Sequence, residues 1–140
     1  MKTAVIYFSY GGTTRKLAQQ YAREHSADMY EVSFLKRPGI AGAFFMCGAS
    51  REQKCAKNLA PFSIDYAQYG EIMVMGPIWA GYPAPPVNNI IASLPAGLSV
   101  RVTMVSAGSG TARKDKVIAA IEARGCTVAE YRDVKAREIG

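Results

Sequence analysis

The stretch TAVIYFSYGGTT, residues 3–14, decides the fold. It begins with a short run of β-branched and aromatic residues, which predicts a buried strand. A serine, a tyrosine and two glycines follow, and they predict a turn. Thr13 or Thr14 is then in place to cap a helix. Apolar residues of that helix repeat at helical spacing, namely Leu17, Ala18, Tyr21 and Ala22.

The same alternation continues along the chain. Strands are predicted near residues 29–35, 72–75, 100–105 and 127–131, and helices near residues 87–94 and 112–124. Strands that alternate with helices form right-handed crossovers and a parallel sheet covered on its faces. We therefore expect residues 1–140 to form one α/β domain, a three-layer sandwich with a five-stranded parallel sheet. The doubly wound strand order 2-1-3-4-5 is expected for it.

The end of the chain departs from this pattern. After the last predicted strand only residues 135–140 remain, about one helical turn at most, so the last helix is expected to be short or missing. Ser99, Arg101 and Thr103 alternate with apolar neighbours, which fits a sheet face left partly wet. A partner chain could also cover that face, and we expect a homodimer.

The segment between residues 36 and 62 allows two interpretations. It contains GIAGAFFMCGA at residues 39–49, and a helix is predicted around residues 51–58. The segment is either a lid over a site, or Phe44, Phe45 and Met46 pack into the core.

Composition excludes several classes of protein. The 140 residues are 49% hydrophobic and 20% charged, which is typical of a globular chain. We identify neither a membrane-spanning stretch nor a signal peptide, so a cytoplasmic protein without a membrane partner is expected. Cys47, Cys55 and Cys126 lack metal-ligand spacing, which argues against a metal site. The net charge of +6 favours an anionic partner, but no nucleic-acid-binding pattern accompanies it.

Three loops flank the point where the predicted strand order reverses, which is where ligands bind in such sheets. The first is SYGGTT, residues 9–14, whose glycines and hydroxyls precede a helix N-terminus. Converging amides and the positive helix end suit a phosphate monoester. The alternative is an ordinary turn.

The other two loops suit a flat ring. GPIWAGYPAPP, residues 76–86, places the only tryptophan, Trp79, in a loop stiffened by prolines, where it either stacks on a planar ligand or caps the core edge. SAGSGT, residues 106–111, is small and glycine-rich, so its backbone can approach the edge of a polar ring. Its alternative is an ordinary helix cap.

With these loops in this order, the chain resembles the short-chain flavodoxin-like proteins that bind flavin mononucleotide (FMN). Ser9, Gly12 and Thr14 match that family's phosphate loop. The resemblance implies that the phosphate is held by Ser9, Tyr10, Gly11, Gly12, Thr13 and Thr14. It implies that the flavin is lined by Pro77, Ile78, Trp79, Ala80 and Gly81, and that its pyrimidine edge meets Ser106, Ala107, Gly108, Ser109 and Gly110.

A flavin brings its own redox chemistry, so no catalytic side chain is assigned. We expect an electron-transfer flavoprotein that docks on a redox partner protein. Two alternatives stay open: an NAD(P)H-dependent FMN reductase or quinone oxidoreductase, and a flavin-free binding module on the same fold. A cationic rim is predicted at the mouth of the site and would attract an acidic partner or the phosphates of NAD(P)H. Its members are Arg15, Lys16, Lys36, Arg37, Arg113, Lys114 and Lys116.

Overall fold

The computed structural model describes residues 1–139 and places six strands in one sheet. Five are parallel and lie in the order β2-β1-β3-β5-β6. They are β1 (Lys2–Tyr7), β2 (Asp28–Glu31), β3 (Tyr69–Trp79), β5 (Ser99–Ser106) and β6 (Thr127–Lys135). The sixth, β4 (Tyr82–Pro83), pairs antiparallel with the end of β3. The predicted order 2-1-3-4-5 is confirmed for the parallel strands, β4 is an addition, and Gly140 lies outside the described residues.

Two helices cover one face of the sheet: α4 (Pro85–Ser93) and α5 (Lys114–Glu122). Prolines fix the backbone at the start of α4. Their missing N–H groups remove no hydrogen bond there, because the first N–H groups of a helix have no acceptor within it. The largest part of the core lies between these helices and the sheet. Its members include Ile6, Ile72, Val74, Val87, Ile90, Leu94, Val102, Met104, Val117 and Ile121.

The opposite face is only half covered. Helix α1 (Thr13–His25) packs Ala18 and Ala22 on β1 and β3, beside the buried Met73 and Met75. Within residues 1–139, β6 is followed by a single 3₁₀ turn, Ala136–Glu138, and a groove of about 380 Å³ runs beside α1 over β5 and β6. The expected uncovered face is therefore present.

The exposed part of that face is polar. Arg101 on β5 forms ion pairs with Glu71 on β3 at 3.0 Å and with Glu130 on β6 at 3.5 Å. Arg101 thus has a carboxylate partner on each neighbouring strand. Arg132 on β6 lines the same groove and forms no ion pair among the described residues, so this surface remains in contact with water.

The segment before β3 differs from what the sequence predicted. Two short helices form, α2 (Ile40–Phe45) and α3 (Cys47–Arg51), and the helix predicted around residues 51–58 is wrong. Beyond Arg51 the chain turns, because Gln53 and Asn58 adopt left-handed backbone angles (φ 56° and 55°). The packing of Phe44 and Phe45 into the core is also wrong, since both side chains are exposed, whereas Met46 is half-buried.

None of the helices within residues 1–139 combines the length and the apolar character that crossing a bilayer requires. In the same range, acidic, histidine and cysteine side chains nowhere gather in threes as a metal site would require. Cys47, Cys55 and Cys126 are free thiols.

Candidate functional site

The carboxyl ends of β1, β3 and β5 enclose a cleft of about 200 Å³ that brings the three predicted loops together. The predicted residues that line it are Ser9, Tyr10, Gly11, Thr13, Thr14, Pro77, Ile78, Trp79, Ser106 and Ala107. The predicted residues that belong to the same loops but do not line it are Gly12, Ala80, Gly81, Gly108, Ser109 and Gly110. Val105 and Ala136 complete the lining.

Ser9 organises the first loop. Its Oγ accepts hydrogen bonds from the amides of Gly12 (3.1 Å) and Arg15 (3.2 Å), so Ser9 satisfies an amide in the first turn of α1. The N-cap residue is Gly12, and the predicted capping by Thr13 or Thr14 is wrong. Gly12 has a φ of 100°, a conformation that favours glycine. Because α1 begins at Thr13, the amides of Thr13 and Thr14 have no acceptor within the helix. They are the donors that this loop can offer to an anion.

Trp79 forms the wall between the first and second loops. Its ring packs edge-on against Phe8 (centroids 5.9 Å apart) and against Tyr10 (5.7 Å apart). The two-residue turn of Ala80 and Gly81, both with positive φ, joins β3 to β4 and aims Trp79 at the first loop. Trp79 packs on the buried Phe8, as expected if it caps the core edge, and it also lines the cleft. Its stacking on a planar ligand stays a prediction.

The third loop is held in place by β6. Asp133 accepts hydrogen bonds from the amide (3.1 Å) and the hydroxyl (2.7 Å) of Thr111. Because the hydroxyl hydrogen of Thr111 goes to Asp133, the phenol of Tyr131 donates to Thr111 Oγ1 at 2.7 Å. Burial raises the pKa of Tyr131 to about 12, which keeps this donor protonated. The amide of Ala112 also donates to the carbonyl of Gly81 at 2.7 Å, tying the third loop to the β3–β4 turn.

Sequence reasoning missed Asp133, Tyr131 and Ala136. One signal was present: β6 ends at the same edge of the sheet as β1, β3 and β5, so a residue at its end such as Ala136 reaches the cleft. Tyr131 and Asp133 lie outside the cleft lining and act through Thr111.

The predicted cationic rim is partly neutralised. Arg15 donates to both carboxylate oxygens of Glu31, at 2.9 and 2.6 Å, and the phenol of Tyr7 donates to the same carboxylate at 2.9 Å. The hydrogen bond from Arg15 holds the pKa of Glu31 below its usual value. Burial, followed by the contact with Glu31, raises the pKa of Tyr7 to about 12.

On the other side of the mouth, Arg113 pairs with Asp115 at 2.8 Å and Lys114 lies 3.6 Å from Asp133. Arg37 keeps its charge uncompensated by any carboxylate within the described residues. Its guanidinium stacks over the Tyr10 ring at 3.8 Å and donates to the carbonyl of Tyr10. Four of the seven predicted rim cations thus form no ion pair among the described residues: Lys16, Lys36, Arg37 and Lys116.

Neither a protein-family model nor a curated protein matches the sequence. Solved structures do match. A flavoprotein from Lactobacillus acidophilus, determined in complex with FMN, has a TM-score of 0.75 at 22% identity, with 94% of this chain and 92% of that chain covered. A Bacteroides uniformis protein, provisionally assigned as a flavoprotein, has a TM-score of 0.79 at 23% identity, with 96% and 90% covered. An archaeal flavodoxin has a TM-score of 0.56 at 17% identity, with 99% and 91% covered.

Proposed function

We propose that this chain, which has the flavodoxin-like fold, is an FMN-binding redox protein. Its role is electron transfer to or from a partner protein. The observation that carries the proposal is the cleft itself. It joins the N-terminus of α1, a tryptophan wall and a small-residue loop within one cavity. This combination offers separate places for a phosphate, a flat ring and the polar edge of that ring.

The chemical groups that line the cleft are of the types that FMN requires. The amides of Thr13 and Thr14 are left without helical acceptors, and the space around Gly11 is open, so a phosphate can approach that backbone. Trp79 and Ile78 offer an apolar wall to the flavin, and residues 106–110 offer small side chains beside its pyrimidine edge. Bound FMN supplies the one- and two-electron chemistry, while the chain binds and orients it.

A second candidate is an NAD(P)H-dependent reductase of FMN or quinones. A hollow of about 340 Å³ beside the first loop supports it, because Arg15, Ser33 and Arg37 line that hollow. Guanidinium groups bind phosphates well. Since Arg15 is already paired with Glu31, Arg37 is the cation in that hollow that can bind a phosphate.

Titration calorimetry of FMN into the purified protein tests the proposal. We expect saturable binding of one FMN per chain, and about tenfold weaker binding by Trp79→Ala, since a lost stacking contact is worth on the order of 1–3 kcal/mol. Absence of heat with well-folded protein contradicts FMN binding and leaves the flavin-free binding module. Rapid bleaching of the bound flavin by NADPH alone favours the reductase over the carrier.

Two further parts of the proposal concern the state of the protein. The uncovered face over β5 and β6 supports a homodimer, and light scattering against the 15.1 kDa chain mass tests it. Three free thiols support a reducing compartment such as the cytoplasm.

A further inference from the structure

Helix α2 turns its large apolar side chains away from the protein. Ile40 is 84% exposed, Phe44 77% and Phe45 84%, and Leu35 in the preceding loop is 70% exposed. The residues of α2 that face the protein are small and half-buried, such as Gly42 and Ala43. A surface helix of a globular domain shows the opposite arrangement, with its apolar stripe towards the core.

Helix α2 is followed directly by α3. Met46, between the two helices, has near-helical angles (φ −74°, ψ −11°), and the amide of Ser50 donates to its carbonyl at 3.0 Å. Ser50 is buried on the inner side, while Arg51 is exposed. The exposed apolar side chains therefore belong to α2, while α3 exposes Gly48 and Arg51. Because Ile40, Phe44 and Phe45 are all exposed, the arrangement is not the displacement of a single side chain.

This surface is also concentrated within the molecule. Among the described residues, four of the six large apolar side chains that are exposed lie within residues 35–45. We call these four, Leu35, Ile40, Phe44 and Phe45, the α2 surface.

The charges within residues 35–51 have one sign. Residues 35–51 contain three basic residues, Lys36, Arg37 and Arg51, and no acidic one. The nearest acidic residue after them, Glu52, pairs with Lys54 at 2.7 Å. An apolar centre flanked by cations complements a surface that is apolar inside and negatively charged outside.

We propose that the α2 surface docks on an anionic lipid bilayer. Ile40, Phe44 and Phe45 enter the boundary between headgroups and acyl chains, and Lys36 and Arg51 contact the headgroup phosphates. A bilayer fits these observations better than a protein partner, because it accepts protruding side chains without a matching groove. The expectation of no membrane partner rested on the missing spanning segment, and surface docking needs none.

Docking in this way brings the cleft close to the bilayer. Ile78 and Trp79 line the cleft on one side and, on the other, an apolar hollow of about 330 Å³ that Ile40 and Phe44 also line. The wall of the candidate site is therefore continuous with the docking surface. The docking itself does not depend on FMN binding.

Co-sedimentation with vesicles tests the proposal on the whole chain. We expect binding to vesicles of phosphatidylcholine with about 30% phosphatidylglycerol, and at least about tenfold weaker partitioning of the double variant Phe44→Ser/Phe45→Ser. Met29→Ser, which removes an exposed apolar side chain from β2, is the matched control and should bind as the unchanged protein does. Thermal unfolding of each variant verifies that it folds.

Three outcomes overturn the proposal. The first is absence of the unchanged protein from the pellet of anionic vesicles, or equal partitioning of the Phe44→Ser/Phe45→Ser variant. The second is equal binding to vesicles of pure phosphatidylcholine, which would show that binding does not require an anionic surface. The third is a dimer that light scattering detects for the unchanged protein and that Phe44→Ser/Phe45→Ser converts to monomers. A second copy of the chain would then cover the α2 surface. None of these outcomes bears on FMN affinity, so failure here is distinct from failure of the proposed function.

Discussion

Asp133 decides the shape of the third loop although it lies outside that loop. Its carboxylate is the acceptor for both the amide and the hydroxyl of Thr111, and it lies directly beside Gly110. Asp133→Ala leaves these donors without their partner and frees the loop, at a cost of about 1 kcal/mol because the Thr111 amide is half-buried. We expect FMN affinity to fall by about tenfold, measured by titration of flavin fluorescence.

Glu122→Ala is the matched control for that change. Glu122 is exposed at the end of α5 and forms no ion pair among the described residues, so its removal should leave FMN affinity unaltered. Equal affinities of the Asp133→Ala variant and the unchanged protein would show that the loop needs no anchor from β6.

Glu31 gives the stability of the protein a dependence on pH. Its pKa in the folded protein is lowered, first by the hydrogen bond from Arg15. A lowered pKa stabilises the fold above the ordinary glutamate value of about 4.3, and this contribution is lost as the pH falls through the lower folded value. Because the pair is partly exposed, Glu31→Gln should cost about 0.5–1 kcal/mol at neutral pH. Urea unfolding measures it.

Urea unfolding of the same two proteins at acid pH provides the check. At a pH well below the folded pKa of Glu31, the unchanged protein and the Glu31→Gln variant should be equally stable. Glu24→Gln on α1, which removes an exposed carboxylate that forms no salt bridge among the described residues, is the control. A cost of Glu31→Gln that persists in acid would assign the effect to packing.

Sequence reasoning found the parts of the site that depend on local chemistry. The turn at Gly11 and Gly12 and the position of Trp79 could be predicted, because a strand followed by glycines and hydroxyls, or by prolines, restricts the backbone locally. Asp133 could not be assigned in this way. It lies 22 residues from Thr111, and only the register of β6 against β5 brings the two together.

Among the elements, the β3–β4 hairpin holds backbone strain at Ala80. Its φ of 54° lies in the left-handed region, which costs a residue with a Cβ about 1–2 kcal/mol. Ala80→Gly relieves this strain but adds freedom to the unfolded chain. We expect a net gain of about 0.5 kcal/mol in the free energy of unfolding, measured in urea.

The control for Ala80→Gly is the same change at an ordinary backbone position. Ala123, at the end of α5, has a φ of −63°, so Ala123→Gly should destabilise the protein by about 0.5–1 kcal/mol. Effects of the same sign at both positions would contradict a strained turn.

The elements that the sequence predicted well are those with an ordinary apolar stripe, α1 and α4. The segment of α2 and α3 was predicted poorly for two physical reasons. Its apolar side chains point outward, so its pattern matches no core face. The segment ends where Gln53 and Asn58 adopt left-handed backbone angles, and neither position is a glycine that would have indicated a turn.

At the scale of the whole molecule, charge pairing explains why the incomplete sandwich can persist. Arg101 bridges Glu71 and Glu130 across three neighbouring strands on the uncovered face. The same pairing at Arg15 and Arg113 reduces the cationic character of the cleft mouth. The net charge of +6 therefore acts mainly through cations outside these pairs, among them those beside the α2 surface.

FMN binding should stabilise the entire fold, since a ligand that binds only the folded state shifts unfolding by mass action. At a free FMN concentration of about 100 times the dissociation constant, the gain is about 2.7 kcal/mol, or roughly 9 °C in Tm for a chain of this size. Riboflavin lacks the phosphate, so it cannot use the free amides at the start of α1 and should give a clearly smaller shift at equal concentration. Thermal unfolding with each flavin measures both effects. Equal shifts would show that the phosphate is not held by the first loop, and the absence of any shift with FMN would contradict its binding to the cleft.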